Sequence, residues 1–356
     1  MRNKRFLLCL LLPFFLTGCW DKRDPEDRAF IMTLGVDASD TGCTFSFAPA
    51  NTGEGEAKTY TADSDTLAGA VSQIDYQMSR KTDLGQLKTV IFSVDVLKDT
   101  AKLESILQEL ERSQSVSEKV MLLATENKAA DCVETVLQAD SKTGLFLWDF
   151  YKNTAQEVAT TKSVDLDTFL TERTEQGGNA VLPRISLADE SLDLGGGVAV
   201  AADAAYPLTN EEERGYLFLL GEAEGALLEG EYDGEILPLR IGKNNARYEF
   251  SPRSDGRLLC TIHLPLEGTL QGGEGFLLSA KRQNEITALF ETIIKEEVAH
   301  TMNVSRRAHK DLFGILPRLE QNAPQLSLGI SREQLCQALE FEISPELELK
   351  DMGRKR

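Results

Sequence analysis

Leu87 to Val94 reads LKTVIFSV and Lys119 to Thr125 reads KVMLLAT, and between these two short apolar runs Leu103, Ile106, Leu107 and Leu110 recur at helical spacing. Short runs rich in Val, Ile, Leu and Phe read as buried strands, whereas recurrence at i, i+3, i+4 and i+7 lines one face of a helix. Strand, amphipathic helix, strand is the pattern of a sheet covered by helices. The alternation continues outward in both directions. After Thr125 a helix runs through Cys132, Val133, Val136 and Leu137, and further helices are expected at Phe146 to Val158 and Asp165 to Thr174 before Gly177-Gly178-Asn179 closes the region. Before Leu87, a helix opening after Thr66 carries Leu67, Val71, Ile74 and Met78 on one face. Ala29 to Asp37 (AFIMTLGVD) and Cys43 to Pro49 read as a strand hairpin about a turn at Ala38 to Gly42, and the polar, Gly-rich stretch Asn51 to Asp65 reads as a loop.

A second texture begins near Leu182. Pro183 to Leu187, Leu192 to Ala201 and Ala226 to Glu231 read as short strands, and Thr209 is placed to cap a helix through Tyr216, Leu217 and Leu220. Ile236 to Ile241, Arg247 to Phe250 and Leu258 to Leu264 continue as strands, with turns at Gly242-Lys243-Asn244 and Ser254-Asp255-Gly256. The third texture is a long helix from about Ala280 to His300 or beyond, with Ile286, Leu289, Phe290, Ile293 and Ile294 on one face, and a last strand at Phe341 to Leu349. The reading is a mixed α/β (α+β) chain of helix-covered mixed sheets. Its expected parts are a leader at 1–18, an N-terminal mixed α/β domain at 19–187, an acidic strand-rich middle domain at 188–250, and a C-terminal α/β domain with a long helix at 251–356.

The 356 residues suffice for two or three domains without covalent staples. With 42% hydrophobic and 27% charged residues the chain is globular rather than disordered. Its formal charge of −19 repels phosphates, which excludes nucleic acid as a partner and opposes attachment of the whole body to an anionic bilayer by charge. Any membrane attachment must then be covalent or apolar.

The first residues supply the covalent route. Arg2, Lys4 and Arg5 precede an apolar run from Phe6 to Leu16, too short for a membrane span, which needs about 20 residues, and right for a secretory signal. Leu16-Thr17-Gly18-Cys19 then resembles a bacterial lipobox, whose cysteine thiol receives diacylglycerol. Cleavage before Cys19 removes three positive charges and no negative ones, so the mature chain would pass from −19 to −22. Between Asn210 and Glu235 stand nine acidic residues and one basic residue, Arg214, read as a solvated acidic face. Cys43, Cys132, Cys260 and Cys336 show no C-x-x-C spacing, and their apolar settings favour buried free thiols over two disulfides.

Motifs that carry chemistry are missing from the sequence: no G-x-S-x-G, G-x-x-x-x-G-K-[ST], H-E-x-x-H or G-x-G-x-x-G occurs. Gly195-Gly196-Gly197 lacks the Lys-Ser/Thr and helix of a phosphate loop and reads as a bulge or tight turn. Of the three histidines, His263 falls on the outward parity of its strand, and nine residues of helix would put His300 and His309 on opposite sides. The sequence thus points to no catalytic residues, no metal ligands and no cofactor. The aromatic cluster Phe146, Trp148, Phe150 and Tyr151 reads as a core or interdomain plug.

Gly18-Cys19-Trp20-Asp21-Lys22-Arg23, a short acidic segment and Ile31 to Asp37 (IMTLGVD) resemble the start of the Ger(x)C family, the lipoprotein C subunits of spore germinant receptors. The order of later segments agrees: the helix after Thr66, LKTVIFSV, the helix through Leu103 and Leu110, and Leu-Pro-Arg-Ile at 182–185 before a Gly-rich strand. The resemblance covers most of the mature chain. It implies three mixed α/β domains, no enzymatic activity, Cys19 as the acylated cysteine, and integral-membrane A and B subunits as partners in the spore inner membrane. On the residues alone, a free-standing solute-binding lipoprotein serving an importer stays open.

Overall fold

The computed structural model describes residues 27–50, 58–139, 145–154, 161–188, 191–271 and 279–350. The N-terminal unit is built on a six-stranded sheet. Strands β1 (Arg28–Ser39) and β2 (Gly42–Pro49) form the expected antiparallel hairpin, and β3 (Tyr60–Ser64) adds beside β2. Helix α1 (Leu67–Asp75), capped by Thr66 through its side chain, leads to β4 (Lys81–Asp83), which lies parallel to the first residues of β1. Then β5 (Thr89–Ser93), α2 (Val94–Lys98), α3 (Thr100–Arg112) and β6 (Met121–Thr125) make a parallel crossover, giving the order β3-β2-β1-β5-β6 with β4 beside β1.

Alternation along β5 and β6 assigns the two faces. Val90, Phe92, Leu122 and Ala124 pack with Leu67, Ile74, Leu103, Ile106 and Leu110 of α1 and α3. Ile91, Met121 and Leu123 face the other way, onto Cys132, Val133, Val136 and Leu137 of α4 (Ala129–Ala139) and onto Leu147 and Tyr151. Strands buried on both faces explain why LKTVIFSV and KVMLLAT are nearly continuous apolar runs. Leu147 belongs to the short helix α5 (Phe146–Asp149), which widens into a π turn over Phe150–Thr154. The remainder of the helix expected to Val158 falls outside the described residues. Helix α6 (Leu166–Glu175) follows, with Asp165 accepting from Thr168 N as its cap.

A small sheet then serves two cores. Strand β7 (Ala180–Pro183) is followed by the hairpin β8 (Ser186–Ala188) and β9 (Ser191–Asp193), and by β10 (Gly197–Val200) and β11 (Ala205–Leu208), ordered β11-β10-β7. Ala180, Leu182, Val198 and Val200 face the N-terminal core, whereas Val181, Ala199 and Leu208 face the C-terminal one. In the triple glycine, Gly196 has φ +76°, the tight turn expected there.

Helix α7 (Asn210–Leu220) opens on a Thr209–Glu212 capping box. Strands β12 (Leu227–Tyr232), β13 (Glu235–Asn244), β14 (Arg247–Pro252), β15 (Leu258–Leu270) and β16 (Leu339–Leu349) form one sheet, with β13, β14 and β16 all pairing with the long β15. Ile286, Phe290, Ile294 and Val298 of α8 (Ala280–Ala308) cover it, joined by α9 (Ile315–Asn322) and α10 (Arg332–Ala338).

Three local expectations are corrected. Tyr60–Ser64 is a strand, not part of a loop, because its backbone completes the free edge of β2. Gly242-Lys243-Asn244 is not a turn: β13 runs through it, and the register shifts between Ile241 and Lys243. The boundary expected at 250/251 falls inside one sheet, where β14 pairs with β15. Strand β7, before residue 187, pairs with β10, after it, so the two units share this small sheet.

Candidate functional site at the chain entry and the inter-unit junction

The expected lipidation residue, Cys19, and the leader 1–18 lie outside the described residues. Eight residues beyond Cys19 the described chain begins at Asp27, and β1 starts at Arg28, whose Nη1 donates to Asp83 Oδ2 at 2.6 Å. Near the other end of β1, Asp37 of the IMTLGVD segment accepts from the backbone N–H groups of Ala129 at 2.8 Å and Ala130 at 3.0 Å. A carboxylate there satisfies two otherwise unpaired donors and complements the positive end of the α4 dipole. The segment is therefore a clamp between β1 and the helix that covers it.

The acidic face expected over Glu211-Glu212-Glu213 is interrupted. Glu213 is wholly buried, and its Oε1 accepts from Thr161 Oγ1 at 2.8 Å and Lys162 N at 3.1 Å. Glu213 stands three, four and seven residues before Tyr216, Leu217 and Leu220, so it belongs to the inward stripe of α7. That spacing was legible in the sequence, although the run of three glutamates obscured it. Burial pushes the Glu213 carboxyl up to about 8 despite hydrogen bonds to its charged form from Thr161 and Lys162, so at neutral pH it is largely a neutral acid. Beside it the Lys162 ammonium pairs with Glu172 and sits 5.6 Å from the Tyr216 ring centre, and burial raises the Tyr216 phenol to about 12.

On the adjoining side of α7, Arg214 forms a two-pronged pair with Glu297 of α8, with Nε to Oε2 at 2.9 Å. Thr301 Oγ1 donates to Glu212 O at 2.7 Å, and a Cβ on Gly215 would lie 2.2 Å from that same hydroxyl oxygen. A further link joins the units where Asn179 Nδ2 donates to Asp311 O at 2.8 Å. Asp311 in turn accepts from Ile315 N and Leu316 N at the start of α9. The junction is thus polar at fixed points within a shared apolar wall, a construction that fixes how the units meet.

The aromatic cluster divides. Tyr151 is fully buried and Leu147 nearly so, whereas Trp148 is half-buried, with Lys152 Nζ 4.1 Å and Lys88 Nζ 5.8 Å from its ring centre, and Phe146 is exposed. Clefts of ligand-sized volume occur among the described residues. One of about 540 Å³ is lined by Asp40, Cys43 and Lys102, one of about 550 Å³ by Asp37, Asp95 and Lys128, and one of about 360 Å³ by Arg306, His309 and Glu340. His263 lies on β15 with its ring 3.7 Å from Glu249 and 3.8 Å from Glu346. Helix α8 ends at Ala308, and His309 follows at φ +53° as its cap. Among the described residues no group of three or more His, Cys, Asp and Glu is placed to hold a metal. Cys43, Cys132, Cys260 and Cys336 are free thiols, the first three buried.

Two sequence families match in succession. Residues 21–187 match the spore germination protein N-terminal domain, and residues 197–353 match the spore germination B3/GerAC-like C-terminal domain. The chain belongs to this spore germination family. Spore germination protein GerQC of Bacillus cereus is 25% identical over 197 residues, a stretch that spans 54% of this chain and 54% of that relative. The putative spore germination protein YfkR of Bacillus subtilis (strain 168) is 20% identical over 98% of this chain and 96% of its own length. The crystal structure of the GerBC protein superposes with a TM-score of 0.61 at 13% identity, covering 89% of this chain and 97% of that one, which establishes a shared multi-domain α+β fold. Membership in the GerAC-like family gives the chain a role in spore germination. Among the described residues no helix is long and apolar enough to cross a membrane.

Proposed function

We propose that the chain is a non-enzymatic, lipid-anchored subunit of a nutrient germinant receptor. Acylated Cys19 holds its folded body at the extracytoplasmic face of the spore inner membrane, docked on integral-membrane A and B type subunits. The observation that carries this reading is the N-terminal order: basic residues, an eleven-residue apolar run, Leu16-Thr17-Gly18-Cys19, and β1 beginning nine residues later. A diacylglyceryl group, joined by a further acyl chain, gives the stable anchoring that one chain alone does not. The germination family supports the setting.

Mass analysis of the protein extracted from spore membranes tests the anchor. The expected mature chain begins at Cys19 and carries two or more acyl chains; an unprocessed leader, or a free thiol at Cys19, would contradict it.

A further inference from the structure

We propose that the end of the N-terminal unit at which β1 begins rests on the lipid headgroup surface, through Tyr76, Lys81 and the Lys88–Trp148–Lys152 cluster; this rests on the reading of Cys19 as the anchor. Tether length sets the first constraint. Arg28 is nine positions after Cys19, so at about 3.3–3.6 Å per residue it lies within roughly 32 Å of the acylated residue. The opposite end of the twelve-residue β1 is farther away by up to the strand's own length, about 40 Å at 3.3 Å per residue.

Register places the other groups at this end. Lys81 pairs with Arg28, and Lys88 N donates to Met32 O, so both lysines flank the first residues of β1. Helix α1 finishes beside them, because Asp75 accepts from Thr82 N at 2.7 Å and Thr82 is the partner of Ala29. Tyr76, the residue after α1, is therefore at the same end, and it is 93% exposed. From the other face of the sheet Trp148 meets Lys88, with Lys152 over the same ring.

Charge and chemistry then select a lipid surface. The far end of the sheet carries Asp37 near the end of β1, Asp40 after it, Asp65 after β3, and Asp95 and Asp99 after β5, the last two paired with Lys98 and Lys102. At the near end Asp83 is paired with Arg28 and Asp75 is engaged with Thr82, while Asp27, Glu118 and Asp149 are exposed carboxylates set among Lys81, Lys88, Lys119 and Lys152. A mature chain of net charge −22 meets an anionic surface with less repulsion through this end of the sheet than through the far end. Tyr and Trp rings flanked by lysines suit the zone where apolar rings meet headgroups and ammonium groups stay in water.

The test uses the full mature lipidated protein carrying Trp20→Phe, which leaves Trp148 as the single tryptophan of the two in the sequence. It is placed in vesicles of phosphatidylglycerol and phosphatidylethanolamine with acyl chains brominated near the headgroup. Flotation reports the anchor, and Trp148 emission reports the orientation. The expected result is flotation with loss of Trp148 emission on bromination, reversed by K81E/K88E/K152E and reduced by Tyr76→Ser, an exposed change that spares the fold. Flotation with emission insensitive to bromination would overturn the orientation and leave the anchor standing. Quenching unchanged in both variants would also overturn it, as would protection of Trp148 only when partner subunits are added, which would make this end a protein interface. Absence of flotation would remove the anchor reading and the orientation together.

Discussion

Thr161 Oγ1 donates a 2.8 Å hydrogen bond to the wholly buried carboxyl of Glu213, fifty-two positions along the chain and in the other unit. The pH dependence of this contact has a defined sign. Folding raises the Glu213 carboxyl from 4.5 to about 8, so between those values the folded chain keeps a proton that the unfolded chain has released. The stabilisation is complete below the unfolded value and declines as pH rises toward about 8, by roughly 1.4 kcal/mol per pH unit from this group. Denaturant melts across that window should therefore show a negative slope that Glu213→Gln removes. Identical slopes for variant and wild type would mean that the carboxyl titrates normally in the folded protein.

Gly215 sits where α7 crosses α8. An added Cβ would lie 2.2 Å from Thr301 Oγ1 and 2.6 Å from Glu297 O, and the second contact is to helix backbone that cannot swing aside. Gly215→Ala is expected to push the helices apart and weaken the Arg214–Glu297 pair, costing on the order of 1–3 kcal/mol in spite of alanine's better helix propensity. Thermal melts of G215A would check this, with Gly242→Ala as a comparison, since a Cβ there meets only Glu267 O at 3.6 Å.

Asp37 closes the N-terminus of α4 from a strand rather than from the helix's own sequence. Asp37→Ala removes both acceptors, and a stability loss of about 1 kcal/mol, within the 0.5–2 range of lost caps, is expected. Hydrogen exchange at the Ala129 and Ala130 amides should accelerate in the same variant. Unchanged exchange would show that the carboxylate is not what holds them.

Burial holds the thiols of Cys43 and Cys132 above their ordinary range, that of Cys260 up to about 12 and that of Cys336 up to about 11. Thiolate is the reactive form, so the native mature protein should react very slowly with Ellman's reagent at neutral pH. After unfolding without reductant, all four should titrate. Fewer than four would reveal a disulfide.

How much of this was legible in the sequence depended on whether a segment's burial is local. LKTVIFSV and the α8 stripe announce themselves because their own residues make the pattern. The Tyr60–Ser64 strand did not, since only Ala62 of its side chains is buried and its place depends on β2. Pairing of β14 with β15 left no local texture, so the boundary expected at 250/251 cuts through a sheet. Glu213 was hidden differently: a helix face is read from its apolar members, and a carboxyl on that face takes its meaning from Thr161 and Lys162 in a distant loop. The proposed lipidation at Cys19 is the reverse case, since it rests wholly on the local motif Leu16-Thr17-Gly18-Cys19.

The most direct test of the lipid-anchored subunit is Cys19→Ala at the native locus, with two quantities followed in the same spores: the amount of the A and B type subunits in the inner membrane, and the rate of nutrient-triggered germination. The anchored-subunit account predicts that both fall, while germination by a stimulus that bypasses nutrient receptors is unchanged. Normal partner levels with a normal nutrient response in Cys19→Ala spores would contradict it.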